Sequence, residues 1–582
     1  MKASPVLVAG VLFSALLSRP LGAQPALEID LAVTRDDPDV LTRVYGSVGD
    51  GDAGLPVAGG FDMNGDGFPD YAFAAFRADV GGLIQAGQVF LVLGNGSISG
   101  SVDTAQADTR VLPILGTQTS EHTGSEIWMD DVTGDGLGDL LICRQDHTPV
   151  AGRIGAGALT ILAGSSNLSA LAAGSSLDLS APPTDITLFT IVGTDVQDRL
   201  CMWARTGDLT EDGIADITVG ADQFGPGDSH RGRVYVVRGG PLLAQNATAD
   251  LALAADPGFV LAGHLAQISA PGTATHTHFG ATVQMADLDG NGRTEVLAAA
   301  ALNRAGGSFG PSPRPEVAHG FGGAAGGGTL YIFWDNNFPT GAWPSPFILD
   351  PAALPGDSSS INGTSINSVF GEEVLGGLDY NNDGEADLFV GDLTGDPPGR
   401  GDAGVGHVLY SANRLRNQNF DLDAPPAGLV ESRIYGPIPG AIGADTAMHG
   451  DFDGDGTDDL AFSSPHDRPF DRFNAGTIHV LFGDDTGWPA LIDLAPGALP
   501  STAELRMTEV YGANGQIGSD TGDTLAYSGA AGDINNDGRT DILTNEMVGN
   551  GLAPGTIDVG NLIILSGTVL SEPLFQDSFE TP

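Results

Sequence analysis

An acidic turn of nine residues that occurs seven times constrains this chain more than any other feature. The copies are DMNGDGFPD (62–70), DVTGDGLGD (131–139), DLTEDGIAD (208–216), DLDGNGRTE (287–295), DYNNDGEAD (379–387), DFDGDGTDD (451–459) and DINNDGRTD (533–541). Successive starts lie 69 to 92 residues apart, so the 582 residues read as one repeat array rather than several unrelated domains.

The flanks repeat as well. An apolar run follows each turn (YAFAAF, LLIC, ITVG, VLAAAA, LFVG, LAFS, ILTN), then a Gly-rich loop and a segment such as GQVFLVLG (87–94) or GTIHVLFG (476–483). Upstream stands a turn such as VYG (44–46) or IYG (434–436). Short β-branched and aromatic runs bounded by Gly and Asp are strands and turns, and no helical period is evident beyond the N-terminus. Gly, at 86 residues, is about twice its usual share and has no collagen period. Each unit therefore predicts one antiparallel sheet of four strands. Such a sheet cannot bury both faces alone, whereas seven around an axis can. The expected fold is all-β, a seven-bladed β-propeller. An apolar-Asp segment precedes every unit, from LEIDL (27–31) to LIDL (491–494), and none follows the last. Residues 27–31 are therefore expected to complete blade seven, an N-terminal strand closing the ring.

The unit resembles the FG-GAP repeat of integrin α-subunit propellers and of secreted bacterial proteins. HFGATVQMADLDGNGRTEVLAAA (278–300) and VFGEEVLGGLDYNNDGEADLFVG (369–391) carry both the Phe-Gly pair and the acidic loop. HTGSEIWMDDVTGDG (122–136) and DRLCMWARTGDLTEDG (198–213) lack Phe-Gly. The resemblance covers roughly residues 27–567.

Oxygen side chains at turn positions one, three, five and nine, with Gly at six for the bend, follow the spacing logic of a Ca²⁺ loop; Ca²⁺ takes six to eight hard oxygens. The candidate ligands are Asp62, Asn64, Asp66 and Asp70; Asp131, Asp135 and Asp139; and Asp208, Asp212 and Asp216. Blade four offers Asp287, Asp289, Asn291 and Glu295, and blade five Asp379, Asn381, Asp383 and Asp387. Blade six offers Asp451, Asp453, Asp455 and Asp459, and blade seven Asp533, Asn535, Asp537 and Asp541. Up to seven Ca²⁺ ions are expected, with the copies at 131 and 208 weakest because Thr stands at position three. The alternative is a set of Asx-turns in which Asp caps backbone N–H groups without metal.

A formal charge of −50 argues against nucleic acid and anionic membrane as partners. Lys2, the apolar VLVAGVLFSALL (7–18) and the small residues of RPLGA read as a signal peptide over 1–23. A propeller over 24–568 and an acidic tail over 569–582 follow. No other stretch reaches the ~20 apolar residues of a membrane span. The expectation is a secreted, periplasmic or cell-surface monomer with a protein or glycan ligand, acting as a binding or adhesion scaffold. One alternative is an extracellular hydrolase or lyase whose site lies in the propeller channel, which requires pKa-shifted carboxylates in a pocket away from the turns. Another is a carbohydrate-binding propeller with exposed aromatics at equivalent blade positions.

Smaller motifs carry less. Cys143 and Cys201 suit either a disulfide or two buried thiols. RGD (400–402) stands in a Gly/Pro-rich loop, and GGSFG (306–310) lacks the strand-turn-helix setting of a nucleophile elbow. His276 and His278 alternate onto one strand face without a third ligand nearby.

Overall fold

A computed structural model describes residues 27–34, 41–46, 53–97, 100–106, 108–225, 230–253, 260–271, 277–301, 327–350, 357–363, 369–498, 505–552 and 557–571. The signal-peptide segment, His276, GGSFG and residues 572–582 lie outside them. The chain forms seven sheets in a ring, a β-propeller. Blades are numbered here by their acidic turns. In every blade the turn joins the innermost strand to the second, as between Ala447–Gly450 and Asp459–Ser464 of blade six. The innermost strands touch their neighbours all the way round, including blade seven against blade one. Seven apolar clusters fill the seven junctions between blades.

The second strand explains why the apolar runs do not alternate. Asp70–Ala75, Asp139–Arg144, Asp387–Asp392 and their counterparts are buried at every residue. Neighbouring blades cover both of their faces, so neither side is free for polar residues.

Two expectations need correction. Blades have five strands, not four. The segments read as upstream turns are parts of the fourth strands, such as Leu41–Tyr45 and Val430–Tyr435. Outside each fourth strand, in parallel, lies an apolar-Asp segment contributed by the following repeat. The closing strand is likewise not the one expected. Leu27–Asp30 pairs in parallel with Met507–Tyr511 as the fifth strand of blade six. Blade seven is closed by Leu41–Tyr45, antiparallel to Asn561–Leu565, and then by Gly100–Asp103 in parallel. The reason is the number of strands: blade seven has only three from the C-terminal end, so it takes a fourth and a fifth from the N-terminal end.

Among the described residues three short α-helices accompany the strands, Leu31–Thr34, Asn167–Ala172 and Gly567–Ser571. The last buries Val569 and Leu570 in the cluster that also holds Ile29, Leu31 and Leu41. Both ends of the described chain thus pack at the junction of blades six and seven. Cys143 and Cys201, fully buried, form a disulfide from the second strand of blade two to the innermost strand of blade three. No helix among the described residues is long and apolar enough to cross a membrane.

Candidate cation sites and central channel

Within the turns the carboxylates first satisfy backbone. Asp451 Oδ1 accepts the N–H groups of Gly454 (2.6 Å) and Asp455 (3.0 Å), and its Oδ2 that of Gly456 (2.9 Å). Asp62, Asp131, Asp287, Asp379 and Asp533 cap their turns in the same manner, as does Asp208 with Asp212 and Gly213. Gly at position six has positive φ in every described turn, +90° at Gly456 for instance, a conformation that favours glycine. Position nine reaches in two directions: Asp459 Oδ2 accepts from Phe452 N (2.8 Å) and its Oδ1 from Gly483 N (2.8 Å).

Position three decides how many carboxylates converge. Among the described residues, acid groups able to share one ion are Asp287, Asp289 and Glu295 in blade four, and Asp451, Asp453 and Asp459 in blade six. In blades one, five and seven, Asn64, Asn381 and Asn535 instead donate to Asp66, Asp383 and Asp537 at 3.0–3.1 Å. In blade two Thr133 lies 3.5 Å from Asp139, and in blade three Thr210 Oγ1 is buried without a hydrogen-bond partner. The turns at Asp131, Asp135 and Asp139 and at Asp208, Asp212 and Asp216 bring no three carboxylates together. Asp455 stands at position five, outside the convergent acid group of blade six.

The blade-four turn fits a divalent cation best. Asp289 Oδ1 and Glu295 Oε1 are buried oxygens with no hydrogen-bond partner of good geometry, a costly state unless a cation meets them. All seven position-nine carboxyls are pushed upward, first by burial and in part by neighbouring carboxylates: Glu295 and Asp459 to about 8, Asp70, Asp216 and Asp387 to about 7, Asp139 and Asp541 to about 6. A bound cation would reverse the sign of that environment.

The sequence pattern gave no sign of the arginines. Arg416 reaches Asp289 at 2.5 Å, and Arg506 reaches Asp453 at 2.6 Å. Both come from positions outside the repeat motif, so periodicity could not reveal them. The turns also touch each other. The position-eight N–H donates to the position-one carbonyl of the preceding turn at Gly138–Asp62, Ala215–Asp131, Thr294–Asp208 and Thr540–Asp451, over 2.9–3.4 Å. Pro69 has no N–H to give; there Asn536 Nδ2 bridges to Gly67 O at 3.2 Å.

On the opposite side the ring axis holds a cavity of about 140 Å³. Its wall comes from innermost strands near irregularities in pairing, where blades two, three, five and seven shift register. Bulges re-aim side chains, which lets the consecutive residues Glu372 and Glu373 both line the cavity. Arg205 lies between two indoles, 4.3 Å from the Trp128 ring and 4.5 Å from Trp203, and donates to Glu126 at 2.6 Å. Burial pushes Glu372 up to about 7 and Glu373 to about 8, the latter against the pull of Arg205, and lifts Asp445 well above the usual carboxylate range.

The remaining motifs have structural partners. Arg400 of the RGD stretch is bound to Asp493 (2.7 Å), and His278, buried, to Asp222 (3.0 Å).

The family model for the FG-GAP repeat matches residues 203–237 and 444–481, which contain the turns of blades three and six. These are FG-GAP repeats. The chain is 28% identical over 182 residues to a phosphatidylinositol-glycan-specific phospholipase D of Dictyostelium discoideum, covering 30% of this chain and 18% of that protein. It thus spans under a fifth of that relative's length. Among solved structures it is similar to the exotype rhamnogalacturonan lyase YesX, at 13% identity and a TM-score of 0.31, over 91% of this chain and 76% of that one. Likeness at that level says nothing about the chemistry of this chain.

Proposed function

We propose that this protein is an exported FG-GAP propeller that binds its ligand on the face opposite the acidic turns, with Ca²⁺ in those turns tying the ring together. One observation carries the binding-face reading. Of the fourteen exposed large apolar side chains among the described residues, nine stand in loops of the face onto which the cavity opens. Ile517 (78% exposed), Ile154 (65%), Phe470 (64%) and Ile84 (61%) are the most prominent. Exposed apolar groups gathered on one rim mark interaction surfaces. Export is supported by the disulfide, since such bonds persist in oxidising compartments. For the metal, the support is the pair of convergent acidic groups and the orphaned oxygens of blade four. A glycan and protein array, probed with the chain from Gln24 in calcium and then in chelator, tests the reading. Capture lost on substituting Ile517 and Phe470 by Ser supports it; capture unchanged by those substitutions refutes it.

A second reading, a hydrolase or lyase in the channel, is favoured by the upward-shifted carboxyls of Glu372, Glu373 and Asp445 in a cavity remote from the turns. Release of reducing ends or unsaturated products from a polysaccharide panel, abolished by Asp445→Asn, would establish it. Inactivity across the panel would leave binding alone.

A further inference from the structure

We propose that the channel cavity is a site for one small organic cation, a guanidinium or ammonium group, held by Glu372, Glu373 and Asp445. The inference rests on the binding-face reading and names the chemistry that face accepts at its centre.

The cavity already shows the pattern once. Glu126, 7% exposed, is neutralised by the guanidinium of Arg205, which the rings of Trp128 and Trp203 sandwich. Planar cations on indole faces, paired to a carboxylate, are a stable arrangement in a desolvated site. The wall formed by blades five and six carries three further carboxylates and no cation of its own. Glu373 is 7% exposed, and its one hydrogen bond comes from its neighbour Val374 N at 3.3 Å. The carboxylates of Glu372 and Asp445 form no hydrogen bond or ion pair among the described residues. The charges acting on Asp445 are those of Glu372 and Glu373 themselves. Of the arginines on the far wall, Arg199 donates to Gln145 at 2.7 Å and Arg77 lies over Phe76 at 4.9 Å. Four carboxylates thus line the cavity against three arginines, one net negative charge, and with Arg205 drawn to Glu126 and Glu373 the carboxylates of Glu372 and Asp445 are the ones that call for an added positive charge.

Size and geometry choose the kind of cation. Unlike the turn groups, these three carboxylates do not bring ligand atoms close enough to share one metal ion. A cavity of about 140 Å³ matches one that accepts a benzene-sized guest, about six heavy atoms. It admits a methylguanidinium-sized head group.

The test is calorimetric titration of the chain from Gln24 with methylguanidinium and with its neutral isostere methylurea, in calcium and 150 mM salt. The expected result is saturable binding of one methylguanidinium per chain, none of methylurea, and affinity at least tenfold weaker in both Asp445→Asn and Glu372→Gln. Removing a repelling charge should leave both variants folded, which their melting curves verify. The inference is overturned by no saturable binding, by equal binding of methylurea, by displacement with Ca²⁺, or by folded variants that bind like the parent. Array capture without methylguanidinium binding would sink this inference alone; loss of both would remove the binding face as well.

Discussion

The backbone N–H of Thr540, in the turn of blade seven, donates to the carbonyl of Asp451, in the turn of blade six, at 2.9 Å. The same bond recurs at three other junctions, linking the turns of blades one to four as well as those of six and seven. Blade one carries Pro69 at the donor position, so proline is compatible with the backbone there. Thr540→Pro should therefore remove one inter-blade bond without breaking the turn. The expected cost is about 1 kcal/mol in chemical denaturation. A cost above about 3 kcal/mol would mean that the turn itself had been disrupted.

The disulfide ties blade two to blade three and closes a loop of 58 residues. Cys201→Ser should lower stability by about 2–4 kcal/mol. The check is a denaturant midpoint measured beside that of the reduced parent, which should fall by a similar amount.

Ile29, 1% exposed, belongs to a strand that completes blade six from the far end of the chain. Ile29→Ala should cost about 2–5 kcal/mol. Hydrogen exchange should quicken first in Met507–Tyr511, its partner strand, rather than in blade seven. Faster exchange confined to Asn561–Leu565 would support the arrangement expected from sequence and contradict the structure.

Glu121 gives a pH dependence with a definite sign. Burial opposes its ionisation, but the bond from His147 (2.6 Å), the Arg144 charge and the Thr117 N–H outweigh it and hold the carboxyl down at about 2. A depressed carboxyl stabilises the fold above its unfolded value and loses that contribution as pH falls through the folded one. The window is therefore pH 4.5 down to 2. The stability difference between parent and Glu121→Gln should shrink across that window by on the order of 3 kcal/mol. A difference constant with pH would contradict the assignment.

Much of this was legible in the sequence because a propeller writes its period into the chain. Seven turns with Asp at position one and Gly at six reported seven blades, and the apolar runs behind them marked the second strands. The closing strand was misplaced for a physical reason: LEIDL pairs in parallel with a strand 481 residues away, Leu27 opposite Thr508, and a parallel edge leaves no hairpin signal. Two- to four-residue outer strands such as Leu177–Asp178 are similarly too short to announce themselves. The channel was invisible because its lining changes from blade to blade at one repeat position: three residues before the turn stand Trp128 in blade two and Arg205 in blade three. The pairing of Cys143 with Cys201 needed the blade order before it could be chosen.

The central claim is that divalent cations in the turns hold the ring closed. The most direct measurement is the melting temperature of the chain from Gln24 in millimolar Ca²⁺ and in excess chelator, with bound metal counted by mass spectrometry. At ten times its dissociation constant each site adds about 1.4 kcal/mol, and for a ring of this size that is about 1.2 °C per site. The account predicts at least two ions per chain, with a fall of about 2–3 °C on chelation if only blades four and six are filled and about 9 °C if all seven are. A metal-free chain whose melting is the same in calcium and in chelator would contradict it.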